Sequence, residues 1–167
     1  MFCKITRSLL LISLLISGAF AQKDIGKEAV GTIKATLYIG TDGDVSKLGD
    51  KLKLVSPEEK KKLMSIERTR FMHYRLLGSD TQPVLRSYEN WLAPLKPMEE
   101  ILLSFESRGR SEDGGLRINL EFWQQKRKIM TSDPVLKLEH PLIILGPKWR
   151  DGTLIISVEL IEDKNAE

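Results

Sequence analysis

The chain has 167 residues, with 26 Lys and Arg against 23 Asp and Glu. Two of those cations, Lys4 and Arg7, sit in an N-terminal stretch that contains no acid, so the rest of the chain is nearly balanced and announces no nucleic-acid partner. The single cysteine, Cys3, lies in the same stretch, which excludes disulfides, cysteine-held metals and a cysteine nucleophile from everything that follows.

That stretch reads as an export signal. Lys4 and Arg7 form a positive n-region, Leu9 to Ile16 an apolar run, and Ala19-Phe20-Ala21 supplies small residues at the positions a signal peptidase accepts. Cleavage is expected between Ala21 and Gln22. The run is too short to span a bilayer as a stable helix, so no membrane insertion is expected after cleavage. There is no Asn-x-Ser/Thr, and export without disulfides fits a bacterial periplasm or exterior. The expected organisation is a signal peptide over 1–21, a flexible lead-in over 22–31, one domain over 32–162 and a polar tail over 163–167. A domain of that size buries about 70% of its unfolded surface, so it needs no disulfide staple.

The first expected strand is built on Ile33, Ala35, Leu37 and Ile39, which alternate with Lys34, Thr36 and Tyr38, and the turn residues Gly40 to Asp44 end it. Val45, Leu48, Leu52 and Val55 have helical spacing, which Gly49 weakens. The main helix is expected over 57–69. Ser56 is its N-cap, Pro57 its first residue and Glu59 the partner in a capping box, with Leu63, Met64 and Ile66 as the apolar stripe. Strands then follow at Phe71–Leu77 and Val84–Trp91, with Gly78-Ser79-Asp80 as the turn between them, and at Ile101–Glu106. After a polar loop over Ser107–Gly115, Leu116, Ile118, Leu120 and Phe122 face one way, and Arg117, Asn119, Glu121 and Trp123 the other. Gln125 to Lys128 is a solvated turn, and short strands follow at Ile129–Thr131 and Val135–Leu138. This pattern predicts an α+β fold with a largely antiparallel sheet or sandwich of about eight short strands, one main helix and a closing hairpin.

In that hairpin, Asp151-Gly152 suits the centre of a type I′ turn. Counting outward pairs Trp149 with Leu154 and Pro147 with Ile156. Ile143, Leu145, Pro147 and Trp149 then share an apolar face with Leu154, Ile156, Val158 and Leu160. Trp149 is thereby a core residue, Lys148 and Arg150 lie on the opposite face, and Pro147 marks an edge or a bulge. The competing reading makes Lys148-Trp149-Arg150 a binding tip.

Chemistry is sparse. His73 and His140 lack the companions a zinc site needs, and no metal or cofactor is expected. There is no G-x-S-x-G, no G-x-G-x-x-G and no P-loop. Asp42-Gly43-Asp44 hints at calcium, but Lys47 and Lys53 occupy the glycine and closing-acid positions of such a loop. The acidic pairs are Glu58-Glu59, Glu99-Glu100 and Glu112-Asp113, and a glycosidase-like pair can also be distant in sequence. The binding candidates are Trp91, Arg117, Trp123, Lys148 and Arg150, because indoles stack on sugars or anchor protein partners. The alternative role for the tryptophans is to cover a sheet face. The sequence therefore predicts an exported, non-enzymatic binding or assembly module of the bacterial envelope or exterior, with a protein or glycan partner. The alternative is a carboxylate-dependent hydrolase acting on envelope polysaccharide.

Overall fold

A computed structural model describes residues 23–48, 52–96 and 99–161. The expected signal peptide and the tail over 163–167 lie outside the described residues. Those residues form β1 (Ala29–Thr41), β2 (Lys53–Leu54), α1 (Pro57–Ser65), β3 (His73–Leu85), β4 (Asn90–Leu92), β5 (Ile101–Arg110), β6 (Leu116–Gln124), β7 (Arg127–Ser132), β8 (Val135–Leu136), β9 (Leu142–Trp149) and β10 (Gly152–Ile161). The strands make two antiparallel sheets. The first has the order β2-β3-β1-β10-β9 and the second β4-β5-β6-β7, with β8 continuing along β6 beyond β7.

Period-two alternation gives each sheet one apolar face, and the two faces meet. Ile33, Leu37 and Ile39 of β1 and Leu154, Ile156 and Val158 of β10 share one core with Leu103 and Phe105 of β5 and Ile118, Leu120 and Phe122 of β6. Each such side chain contributes about 1.5–3 kcal/mol through burial. A third layer covers part of the first sheet's outer face. Leu63 of α1 joins Tyr38, Tyr74 and Ile155 in a second apolar cluster, which makes β1 a strand buried on both faces at its C-terminal end.

The capping box forms as the sequence implies. The Ser56 hydroxyl accepts from the Glu59 amide at 3.2 Å, and the Glu59 carboxylate accepts from the Ser56 amide at 3.1 Å. The α-helix stops at Ser65, however, and a separate 3-10 turn covers Glu67–Thr69. The Thr69 hydroxyl donates to the Leu63 carbonyl at 2.6 Å, and the Arg70 guanidinium to the Met64 carbonyl at 2.9 Å. Side chains thus satisfy the last helical carbonyls in place of further turns. Only Leu63 of the expected stripe is buried; Met64 and Ile66 are exposed.

Three further expectations need correction. First, Gly78-Ser79-Asp80 is no turn, because β3 runs straight through it with a bulge opposite Leu37 and Tyr38. A Cβ at Gly78 would fall on the Pro94 carbonyl oxygen, so glycine is there to admit the chain that leaves β4. Asp80 ties the same crossing: its carboxylate accepts from the Ala93 amide at 2.9 Å and the Lys96 ammonium at 2.8 Å. Second, part of the expected lead-in is folded. Ile25–Lys27 is a 3-10 turn, β1 begins at Ala29, and Glu28 pairs with Arg86 at 2.7 Å.

Third, the closing hairpin has a different register. Its central residues are Arg150 and Asp151, with Trp149 opposite Gly152, and Arg150 carries the positive φ of 51°. Gly146 and Pro147 then bulge, and pairing resumes with Leu145 opposite Ile155. The bulge switches parity along β9. Leu142 and Ile144 face the intersheet core together with Trp149, while Ile143 joins the outer cluster and Leu145 is exposed. Pro147 does lie in a bulge on an edge strand, where its missing N–H costs no ladder bond.

Candidate functional site

Trp149 is buried at 7% exposure within the intersheet core. Its indole N–H donates to the Glu100 carboxylate at 2.9 Å. The Glu100 carbonyl in turn accepts from the amide of Gln125 at 2.9 Å. Gln125 and Lys126 form the two-residue turn between β6 and β7, with φ values of 48° and 63°, the signature of a type I′ turn built without glycine. Glu100 therefore joins the ends of both sheets, and the Arg150 guanidinium caps the Trp149 ring 4.1 Å from its centroid. This tryptophan is a structural rung, not an offered platform.

Lys148 and Arg150 are exposed beside a cleft of about 310 Å³, whose lining also includes Asp42, Phe71 and Asp151. One oxygen of Asp42 already accepts from the Met72 amide at 2.8 Å, and the Thr41 hydroxyl donates to the Asp151 carbonyl at 2.9 Å. The cleft is balanced in charge, with two cations facing two acids.

The other tryptophans come together on the outer face of the second sheet. Leu92, Leu103, Phe105 and Phe122 point into the core, so alternation sends Trp91, Ser104 and Trp123 outward. Trp91 of β4 lies opposite Ser104 of β5, which in turn lies opposite Glu121 of β6. The small serine between them lets the two indoles meet diagonally across β5. Their centroids are 5.9 Å apart and their planes are inclined by 51°. Trp91 is 41% exposed and Trp123 is half-buried.

A polar rim surrounds the pair. The Trp123 indole N–H donates to one oxygen of Glu121 at 2.9 Å, and the Lys128 ammonium to the other at 2.7 Å. Lys128 also stands over the Trp123 ring at 5.5 Å. The Lys128 bond first, then the indole N–H, hold the Glu121 carboxyl below the ordinary carboxylate range against some desolvation. With both oxygens engaged, Glu121 is built to position neighbours rather than to exchange protons with a substrate. On the other side the Ser104 hydroxyl donates to Glu89 at 2.8 Å.

Arg117 shares this face but lies six residues along β6 from Trp123, about 20 Å away at strand spacing. The structure thus brings Trp91 and Trp123 together and leaves Arg117, and the Lys148–Arg150 pair, at separate places. Sequence reading missed Glu89, Ser104, Glu121 and Lys128 as rim residues. Alternation puts Glu121 on the face of Trp123, and a two-residue turn at Gln125-Lys126 puts Lys128 directly opposite Trp123. That turn lacks the glycine or asparagine that normally reveals it. His73 and His140 are both exposed, and no group of three or more potential metal ligands occurs among the described residues. No family model matches the sequence, no curated protein matches it, and no solved structure matches the chain.

Proposed function

We propose that the chain is an exported, non-enzymatic binding or assembly module of the bacterial periplasm or exterior, and that it engages envelope material through the outer face of its second sheet. One observation carries this reading. Trp91 presents an indole at 41% exposure beside Trp123, on a sheet face that α1 does not cover. A large aromatic left in water beside a second one, rimmed by polar groups, is the surface signature of a binding anchor. Export rests on the N-terminal signal pattern from Lys4 to Ala21.

The experiment is co-sedimentation of the secreted chain with bacterial envelope fragments, comparing it with the Trp91→Ala/Trp123→Ala double variant. The reading expects retention of the unsubstituted chain and its loss in the variant. Equal retention of both would remove this face from the function.

The cleft beside Lys148 and Arg150 supports the second reading, a carboxylate-dependent hydrolase of envelope polysaccharide, because Asp42 and Asp151 both line it. Release of soluble sugar from envelope fragments that stops in Asp42→Asn and in Asp151→Asn would favour it.

A further inference from the structure

We infer that the notch between Trp91 and Trp123 takes a neutral sugar residue of a polysaccharide, rather than a protein surface or an anion. This inference rests on the binding-face reading above and narrows it to one class of ligand.

Size is the first ground. An aromatic side chain presents about 150–250 Å² in full, so Trp91 offers roughly 100 Å² at its 41% exposure. Trp123 and Leu102 are half-buried and add less. Ile129, in the bulge of β7, is exposed as well, whereas Val135, the other exposed apolar side chain of this sheet face, lies opposite Arg117 at the far end of β6, and the remainder of the face includes the polar Glu106, Asn119 and Arg117. A standard protein interface needs about 800 Å² from each partner, centred on apolar anchors. The apolar patch here is nearer the footprint of one sugar ring.

Charge is the second ground. The rim cation nearest the indoles, Lys128, is paired with Glu121 at 2.7 Å, and Glu89 adds a second carboxylate on the other side, so the rim itself carries more acid than base and is not built to attract an anion. Hydrogen-bonding capacity nevertheless remains. Lys128 has donors beyond the one it gives Glu121, Glu89 has a second oxygen beyond the one that accepts from Ser104, and the Trp91 indole N–H has no protein acceptor among the described residues. An apolar ring face bordered by spare donors and acceptors complements a pyranose, whose C–H groups form a face and whose hydroxyls form a rim.

Shape is the third ground. Because the indole planes are inclined by 51°, only one can lie flat beneath a sugar ring while the other meets its edge. The notch therefore suits a single residue or a chain end, not two successive rings lying on a flat platform.

The test uses the whole secreted chain on an array of neutral and acidic oligosaccharides that includes cellotetraose, chitotetraose and laminaritetraose, followed by titration of intrinsic fluorescence with the best neutral binder. We expect retention of at least one neutral oligosaccharide with an affinity that salt does not change, because no ion pair forms with the ligand. Trp91→Ala should weaken it by about tenfold or more, as loss of a stacking anchor does. Trp91→Phe, which keeps a ring, should recover part of the loss, and circular dichroism confirms that both variants are folded. Retention confined to acidic glycans overturns the inference. So does envelope binding that depends on Trp91 but is abolished by protease treatment of the fragments, and that result leaves the binding face intact with a protein as its partner. Absence of any Trp91-dependent binding, to glycans or to envelope, removes both the inference and the reading beneath it.

Discussion

The outer faces of the two sheets carry similar aromatic side chains and treat them in opposite ways. On the first sheet, Tyr38 and Tyr74 are buried in a cluster with Leu63 of α1. Their hydroxyls are committed, Tyr38 to Glu59 at 2.9 Å and Tyr74 to the Thr69 carbonyl at 2.7 Å. On the second sheet, Trp91 stays in water, and α1, the one α-helix among the described residues, lies elsewhere. A sheet face must be covered or be tolerably polar, and the second sheet is left uncovered by α1, with Glu106, Asn119, Arg117, Glu121 and Lys128 interspersed among a small aromatic island and the exposed Ile129 and Val135. The aromatic island of the second sheet is the face proposed above for binding, whereas the covered tyrosines belong to the architecture.

The largest expected effect lies in a third place, which calibrates both faces. Trp149→Ala removes a buried indole and its bond to Glu100, and should destabilise the fold by about 3–5 kcal/mol in denaturant melts. A midpoint like that of the unsubstituted chain would return the hairpin tip to the list of binding surfaces. Next comes Gly78→Ala. Its new methyl meets backbone at Pro94, so β3 and the chain after β4 must separate, at about 1–3 kcal/mol, the usual range for overpacking. Unchanged stability there would mean that the crossing between the sheets is loose.

On the covered face, Tyr38→Phe should cost about 1 kcal/mol, because the lost hydroxyl donates to a carboxylate that is itself partly solvated. Its pH dependence has two limbs. Burial first, then the bond to Glu59, push the Tyr38 hydroxyl pKa well above its ordinary value. A raised pKa in the fold means that this contribution is intact below about pH 10 and is lost as pH rises further. The Glu59 carboxyl is held low by the Ser56 hydroxyl foremost, against burial, with help from Tyr38. A lowered pKa means that its contribution is present above about pH 4.3 and fades as pH falls through the folded value. Stability profiles measured against pH should therefore flatten on the alkaline side in Tyr38→Phe and on the acid side in Glu59→Gln. Identical profiles for the unsubstituted chain and both variants would contradict the covered-face assignment.

The smallest stability effects belong to exposed positions. Trp91→Ala should lose no more than about 1 kcal/mol, the scale of one aromatic pair, and Lys148→Ala less than about 0.5 kcal/mol. Thermal unfolding of the two variants checks both, and a large loss in Trp91→Ala would make that indole architectural, like the tyrosines.

These contrasts also mark what could be read from the sequence. The largely antiparallel fold with one main helix was legible, as a sheet or a sandwich, because the β1 and β6 sequences alternate and Ser56, Pro57 and Glu59 spell a helix start, while the division into two sheets came from the structure. The closing hairpin was legible as an element and not in register. One bulged residue pair, Gly146-Pro147, reverses which side chains face inward, and alternation has no means of signalling it in advance. β3 looked like two strands because Gly78-Ser79-Asp80 has turn composition, although its glycine answers a close backbone approach from Pro94. Trp91 and Trp123 were each singled out, but their meeting depends on strand order and on Ser104 between them, which only the folded sheet supplies.

The central claim is that the second sheet's aromatic island binds and the Trp149 rung does not. The most direct measurement is the fraction of folded Trp91→Ala/Trp123→Ala protein retained on bacterial envelope fragments, beside the unsubstituted chain under the same conditions. The account predicts a loss of about tenfold or more, with the far-ultraviolet circular dichroism of the folded chain preserved. Retention equal to that of the unsubstituted chain would contradict it.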